Sequence, residues 1–276
     1  MEYNCRLYEY PTGSHVTFYK KTITRREKDT EIRKDIEKGK EKDNETRNDN
    51  TENKDNADNN LLKQPENESR SKEQEEHSIK VSLSATKNRI YNIARSNTWE
   101  WFITLTFNRD KTNASDYDMI VYRLHIFLNN LQKRKCPDLK YLIVPELHED
   151  KENYHFHGLI SGCDNLRFRF SGYFDKKDNP IYNILDWNYG FTTATRIKDS
   201  GKASSYITKY ITKQSELKLK NKNRYMCSRN IGRTQPSFHI LDEDDFLKIY
   251  AEDITYAKNV HVPAAHQSIN YYELKD

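Results

Sequence analysis

The 276-residue sequence predicts an α+β fold: an antiparallel β-sheet with helices packed mainly on one face, preceded by a hairpin and a disordered linker. Three observations carry that expectation. Short runs dense in β-branched and aromatic residues recur between Trp99 and Ile197, and such runs fit a pleated, half-buried surface. The order they define, β-α-β-β-(loop)-β-α, has too few helices for a parallel doubly wound sheet. Residues 21–80 break the composition abruptly: 32 of those 60 side chains are charged and none is aromatic. So little apolar surface cannot offset the entropy of ordering, and the segment reads as disordered.

Residues 1–20 form the expected N-terminal hairpin. Arg6–Tyr10 and His15–Tyr19 alternate apolar and polar side chains around Pro11-Thr12-Gly13-Ser14. A lone hairpin is marginal in water, so it is expected to dock onto something larger. Residues 21–80 are the charged, Asn-rich linker, and residues 81–240 the globular domain. There, Ile90, Ile93 and Ala94 suggest a short helix with Arg89 and Arg95 on its wet side. Trp99–Phe107 reads as a buried strand. Ser115-x-x-Asp118 looks like a helix start, after which Ile120, Leu124, Phe127, Leu128 and Leu131 share one face. Lys140–Leu147 and Tyr154–Ser161 read as strands joined by a short polar connection, hence an antiparallel pair. Residues 162–180 read as a loop, and Ile181–Trp187 and Phe191–Ile197 as further strands. Ser200 is placed to cap a helix running to about Leu217, with Ala203, Ile207 and Ile211 buried. Residues 241–276 remain as an acidic C-terminal extension.

Composition narrows the function classes. Mean hydropathy is −1.05, and no run approaches the roughly 18 apolar residues needed to cross a bilayer, so no membrane partner is expected. The start, Met1-Glu2-Tyr3-Asn4-Cys5, lacks the charged-then-apolar pattern of a signal peptide. Cys5, Cys136, Cys163 and Cys227 include no C-x-x-C pair, which argues against a zinc knuckle or a disulfide framework. An intracellular, soluble protein is the expectation. The net charge of +4 conceals segregation: residues 81–240 hold 26 basic against 15 acidic side chains, and residues 201–240 hold nine basic against Glu216 alone. Such a stripe is the electrostatic footprint of a protein that touches phosphates. No phosphate-cradling G-x-x-x-x-G-K-[ST] occurs, so the chain shows no helicase motor of its own.

Two groups of residues carry chemistry. His155 and His157, two apart on a strand, project from one face, while Phe156 and Ile160 point into the core. Two imidazoles on one pleat can each offer a nitrogen to one divalent ion. Glu146, late in the preceding strand, can bring a carboxylate to the same ion; His148 or Glu149 are alternatives. A set of two imidazoles and one carboxylate with open positions suits Mg2+, Mn2+ or another divalent metal that must also hold substrate. On the helix after Ser200, Tyr206 and Tyr210 are spaced i, i+4, with Lys209 and Lys213 along the same flank. A phenol is a poor nucleophile until its charge is stabilised, which neighbouring ammonium groups and a metal-bound phosphate favour. Arg224, Arg229 and Arg233 are candidates to grip backbone phosphates. Tyr173, Phe174, Tyr182, Trp187 and Tyr189 are candidates either for base stacking or for sheet core, with core expected for about two-thirds of them.

Taken together, Phe102-Ile103-Thr104-Leu105-Thr106-Phe107, Glu146 with His155-Phe156-His157-Gly158, and Tyr206-Ile207-Thr208-Lys209-Tyr210 resemble the HUH endonucleases. Within them the match is to rolling-circle replication initiators of the two-tyrosine type, similar to microvirus, filamentous-phage and prophage initiators. The resemblance implies an HUH/RRM-like nuclease fold and metal-dependent transesterification of single-stranded origin DNA. It implies a 5′-phosphotyrosine link and a free 3′-OH primer, with ends rejoined during rolling-circle replication. By that analogy His155, His157 and Glu146 hold the metal, Tyr206 is the first nucleophile, Tyr210 the second, and Lys209 stabilises charge. A host helicase, a DNA polymerase and the cytoplasm of a bacterial host are implied with it. An HUH transposase or relaxase would share the site. A non-catalytic origin- or RNA-binding module on the same fold is the alternative of another class.

Overall fold

The computed structural model describes residues 1–25, 72–150, 152–213, 222–263 and 266–275. Most of the expected linker and the last part of the expected Ser200–Leu217 helix lie outside them. At the linker's two ends, strand continues through Thr24 and helix begins at Lys72. Among the described residues no helix is long and apolar enough to cross a membrane. The chain is α+β, with two antiparallel sheets in two compact units.

One unit comprises Met1–Leu7, His15–Ser71 and Pro236–Leu274. Its sheet has the order β10-β1-β2-β12-β11, where β1 is Glu2–Tyr10, β2 Gly13–Thr24, β10 Ser237–His239, β11 Ile254–Val262 and β12 Gln267–Leu274. The hairpin forms as the Pro/Gly turn predicts, with Gly13 at φ 104, a conformation that favours glycine. Its larger partner is the segment expected only as an acidic extension. There, Asp242 caps helix α5 (Glu243–Tyr250) by accepting from the Asp245 N–H, and Glu243, Asp244 and Asp245 occupy the first turn. Acidic groups at that end complement the helix dipole, so part of the tail's acidity is a helix start. Cys5, Val16, Phe18, Phe246, Tyr272 and Leu274 form the core of this unit.

The other unit, Tyr8–Ser14, Lys72–Gln235 and Lys275–Asp276, carries the predicted chemistry. Its elements are α1 (Lys72–Arg95), β3 (Trp101–Phe107), α2 (Tyr117–Arg134), β4 (Lys140–Leu147), β5 (Tyr154–Ser161), β6 (Phe168–Phe174), β7 (Pro180–Ile184), β8 (Gly190–Arg196), α3 (Ser200–Ile207), α4 (Lys209–Lys213) and β9 (Met226–Cys227). The sheet order is β6-β7-β8-β3-β5-β4-β9. On one face Ile120, Leu124, Phe127, Leu128 and Leu131 of α2, the predicted stripe, pack on Trp101, Ile103, Leu105, Phe107, Ile143, Phe156 and Ile160. On the other, Ile90, Ile93 and Ala94 of α1, with Ile207 and Ile211 of α3 and α4, pack on Leu142, Val144 and Leu159. Most helices of this unit therefore share one face, as expected, but α2 covers the opposite one. Residues 141–146 of β4 are buried without alternation because helices flank both sides.

Several local expectations need correction. Asp116, not Ser115, caps α2, accepting from the N–H groups of Asp118 and Met119; Ser115 instead donates to Asn113. Asp199, not Ser200, caps α3, accepting from the Lys202 N–H, while the Ser200 hydroxyl accepts from the Trp99 N–H. A carboxylate accepts these N–H bonds more strongly than a hydroxyl does. The expected continuous helix breaks at Thr208, whose hydroxyl donates to the Ser205 carbonyl, and restarts at Lys209. The expected loop 162–180 contains β6, an edge strand with mostly exposed side chains and a register shift between Phe170 and Phe174. The first helix is 24 residues long, although only its last two turns carry the apolar signal that predicted it.

Gly190 opens β8 where the chain leaves no room for a side chain. A Cβ there would stand 2.2 Å from the Thr106 carbonyl oxygen and 2.5 Å from the Asn108 nitrogen, both backbone atoms. Gly190→Ala is therefore predicted to destabilise this unit by roughly 1–3 kcal/mol, the usual scale for overpacking. A urea midpoint equal to that of the wild type would show that β8 and β3 can part without cost.

Candidate active site

Strand register assembles the first half of the site. On the β4–β5 hairpin Glu146 lies directly opposite His155, and Val144 opposite His157. Directly opposed residues share a face with their Cβ atoms about 4.5–5.5 Å apart, and the diagonal neighbour remains in reach. Glu146 Oε2 lies 2.9 Å from His155 Nε2 and 2.7 Å from His157 Nε2, and the two Nε2 atoms are 3.2 Å apart. The connection between these strands is pinned by Asp150, which accepts from the Glu152 and Asn153 N–H groups and pairs with Arg109. Those contacts, the Asn153 N–H first, hold the Asp150 carboxyl well below the usual carboxylate range.

The three atoms fit a single divalent ion. Octahedral bonds of about 2.1 Å place neighbouring donors about 3.0 Å apart, with the remaining positions open to one side. The observed separations of 2.7, 2.9 and 3.2 Å bracket that value. Glu146 and His157 are buried and His155 is half-buried, and a buried carboxylate calls for compensating charge. Among the described residues these three are the one group whose ligand atoms cluster in this way. On the next strand, Thr104 lies opposite His157 and its hydroxyl is 3.1 Å from His157 Nδ1. That bond orients the ring and leaves Nε2 for coordination. His148, the expected alternative ligand, stands further out, its ring 5.4 Å from that of His155; Glu149 is exposed and outside the cluster.

The second half comes from α3 and α4. Buried Ile207 and Ile211 anchor these short helices on the sheet, and the i, i+4 relation of Tyr206 and Tyr210 survives the break at Thr208. The Tyr210 ring stacks on His157, with centroids 3.8 Å apart and planes inclined by 19°. Its hydroxyl donates to the Tyr206 hydroxyl at 3.0 Å. Phe102, opposite Leu159, sits 5.2 Å from the Tyr206 ring and 6.1 Å from the Tyr210 ring, filling the space beneath both. The tyrosines differ in environment: Tyr210 is 9 % exposed and Tyr206 45 %. Burial first, then its bond to Tyr206 and the charge of Glu146, push the Tyr210 phenol far above its ordinary value. Tyr210 thus stands as a neutral donor aimed at a more exposed hydroxyl. Lys209 Nζ lies 5.1 Å from the Tyr206 ring centroid.

The structure therefore brings together Glu146, His155, His157, Tyr206, Tyr210 and Lys209. Lys213 ends α4, and its side chain lies outside the described residues. Arg224, Arg229 and Arg233 lie on the segment around and after β9, which borders β4; Arg229 and Arg233 are exposed. Of the five candidate stacking aromatics, Trp187 is core and Tyr182 and Tyr189 pack against it, whereas Tyr173 and Phe174 are exposed. Thr104 and Phe102 had no assigned role. The strict alternation of β3, with 101, 103, 105 and 107 buried, was the signal that turns both toward the histidines.

If Thr104 orients His157, Thr104→Val lowers Mn2+ affinity by about 10-fold or more, as loss of such outer partners does in metal sites. Calorimetric titration of the full chain measures it, and an unchanged affinity would remove Thr104 from that role.

Residues 100–215 match the model of a family described as replication-associated protein ORF2. Comparison with curated proteins and with solved structures finds no match. The matched stretch contains β3, the β4–β5 hairpin with its cluster, and both tyrosines, and it stops short of Arg224. Over residues 100–215, the chain belongs to this family of replication-associated proteins.

Proposed function

We propose that this chain is a replication initiator endonuclease. It nicks single-stranded origin DNA by metal-dependent transesterification through a tyrosine, then rejoins ends during rolling-circle replication. The observation that carries this reading is the stack of Tyr210 on His157. It sets a linked pair of phenols against a carboxylate–imidazole cluster suited to a divalent ion.

Glu146, His155 and His157 hold the ion, Mg2+ or Mn2+, which when bound supplies Lewis-acid polarisation of the scissile phosphate. The remaining roles fall to the chain. Tyr206, the more exposed phenol, attacks phosphorus; its O–P bond forms as the P–O3′ bond breaks. The phenol proton passes to solvent and the departing O3′ takes a proton from water, so a 5′-phosphotyrosine and a 3′-OH result. Tyr210, held neutral, donates its hydrogen bond to the oxygen that becomes charged as Tyr206 ionises. Lys209 adds positive charge at the same place. The covalent link conserves the phosphodiester bond energy, so a second attack, for which Tyr210 is the available phenol, closes strands without ATP. The 3′-OH is a primer for a host DNA polymerase. A chain with no P-loop takes its unwinding from a host helicase, which sets its work in the cytoplasm of a bacterial host cell. Arg224, Arg229, Arg233 and Lys213 supply phosphate contacts. The match to a replication-associated family favours this reading over a transposase or relaxase.

The test is incubation with Mn2+ or Mg2+ and single-stranded oligonucleotides tiled across the DNA flanking the chain's own gene, followed by a denaturing gel. A DNA-linked protein band is expected. It disappears in the Tyr206→Phe/Tyr210→Phe double variant and in His157→Ala. Lys209→Ala slows its formation by about 100-fold, the usual cost of one charge-stabilising group. Binding with no linked band in the wild type would leave a DNA-binding module and end the nuclease reading.

A further inference from the structure

We infer that Phe191 is a base-stacking anchor for single-stranded DNA, setting the position of the strand relative to the metal cluster; the inference rests on the nuclease reading for the identity of the strand. Single exposed apolar side chains are ordinary and carry no meaning by themselves. Phe191 differs by register. Glu146 lies opposite His155, His155 opposite Thr106, and Thr106 opposite Phe191. One straight row therefore runs across four strands, from the metal ligands to an aromatic ring on the same face. At about 4.8 Å per strand, Phe191 stands about 10 Å from His155. It is 71 % exposed, although the two residues that follow it in β8 on the opposite face, Thr192 and Ala194, are buried.

The sheet around it is asymmetric. Over β3, β5 and β4 this face carries α1, α3 and α4. The cluster those helices form includes no residue of β6, β7 or β8, whereas the opposite face of those strands is packed through Phe168, Tyr182, Ile184 and Ala194. The open half is also polar and ends in a cation. Thr104 lies opposite His157 and Thr193 opposite Thr104. The register set by Tyr182 opposite Ala194 puts Asn183 beside Thr193, and Arg169 lies opposite Asn183. This second row thus passes from His157 through three hydrogen-bonding side chains to an exposed guanidinium. Stacking ring, hydroxyl and amide groups, and a terminal cation suit an unpaired strand with its bases accessible. Duplex DNA, with its bases stacked inward, offers no ring face to Phe191. Residues 81–240, which include this face, carry 26 basic against 15 acidic side chains, the charge sense a phosphate backbone requires.

The experiment measures binding of a fluorescein-labelled oligothymidylate to the full chain by anisotropy over a range of salt, with Phe191→Ala, Phe191→Tyr and Arg169→Ala alongside. Loss of one base stack weakens binding by roughly fivefold or more. Phe191→Ala is expected to show that loss and Phe191→Tyr to stay within about twofold of wild type. A stacking contact neutralises no phosphate, so Phe191→Ala keeps the wild-type slope of log affinity against log salt, while Arg169→Ala flattens it by about 0.7. Excess duplex of matched length is expected to compete poorly. Equal affinity of Phe191→Ala and wild type overturns the anchor, as does a loss matched by a fall in thermal midpoint or effective competition by duplex. The nuclease reading fails separately: Phe191-dependent binding with no DNA-linked band would leave the docking face standing and remove the chemistry.

Discussion

Every functional feature of this chain depends on the register of the β4–β5 hairpin. Glu146 opposite His155 is a pairing of two residues, yet it decides whether a carboxylate and two imidazoles meet. A slip of one residue would turn both histidines into the core of α2 and bring Phe156 to the site. The register is over-determined. Leu142, Val144 and Leu159 are fixed by the helices on one side, Ile143, Phe156 and Ile160 by α2 on the other. The Asp150 turn closes the far end. Gly158 contributes by absence, since a Cβ there would lie 2.9 Å from Ile143 Cγ1 and 3.2 Å from Ile103 Cγ1. A site that demands sub-ångström convergence of three side chains is thus built on the most heavily packed strands of the sheet, which is where such precision is available.

The tyrosines are positioned by a different means. Their helices are short, eight and five residues, and little intrinsic helical stability is available at that length. Ile207 and Ile211 hold them through burial, and the Tyr210–His157 stack ties them to the metal cluster. The interruption at Thr208 lets the chain change direction between the phenols without separating them. The result is a graded pair. One phenol is exposed and polarised by a neighbour; the other is enclosed and holds its proton.

What the sequence disclosed followed the strength of side-chain patterning. The β4 and β5 boundaries and the α2 stripe were legible because buried strands and a two-layer core demand uninterrupted or periodic apolar residues. The cluster of Glu146, His155 and His157 was legible from strand alternation and the paired tyrosines from helical spacing; both needed the resemblance to acquire roles. The elements that escaped lack such patterns. Strand β6 is an edge with polar and exposed positions, β9 is two residues long, and β11 is almost wholly exposed. The caps at Asp116 and Asp199 each sit beside a serine that also fits, and sequence alone does not rank a carboxylate against a neighbouring hydroxyl. The break at Thr208 depends on a side-chain-to-backbone bond that no composition announces. Thr104 and Phe191 were invisible for a further reason: their meaning lies across strands, in neighbours more than 50 residues away along the chain for Thr104 and more than 80 for Phe191.

The five-stranded sheet has a kinetic consequence. Asn4 exchanges hydrogen bonds with Leu241 across 237 residues, and Gln267 donates to the Lys21 carbonyl across 246. Closing loops of that size is entropically slow, and pairings so distant in sequence lengthen folding times. The strands of the β1–β2 hairpin are made first during synthesis, yet their neighbours β10, β11 and β12 emerge last. Until the ribosome delivers those strands, the hairpin keeps two unsatisfied edges, the state most prone to pair with another nascent copy.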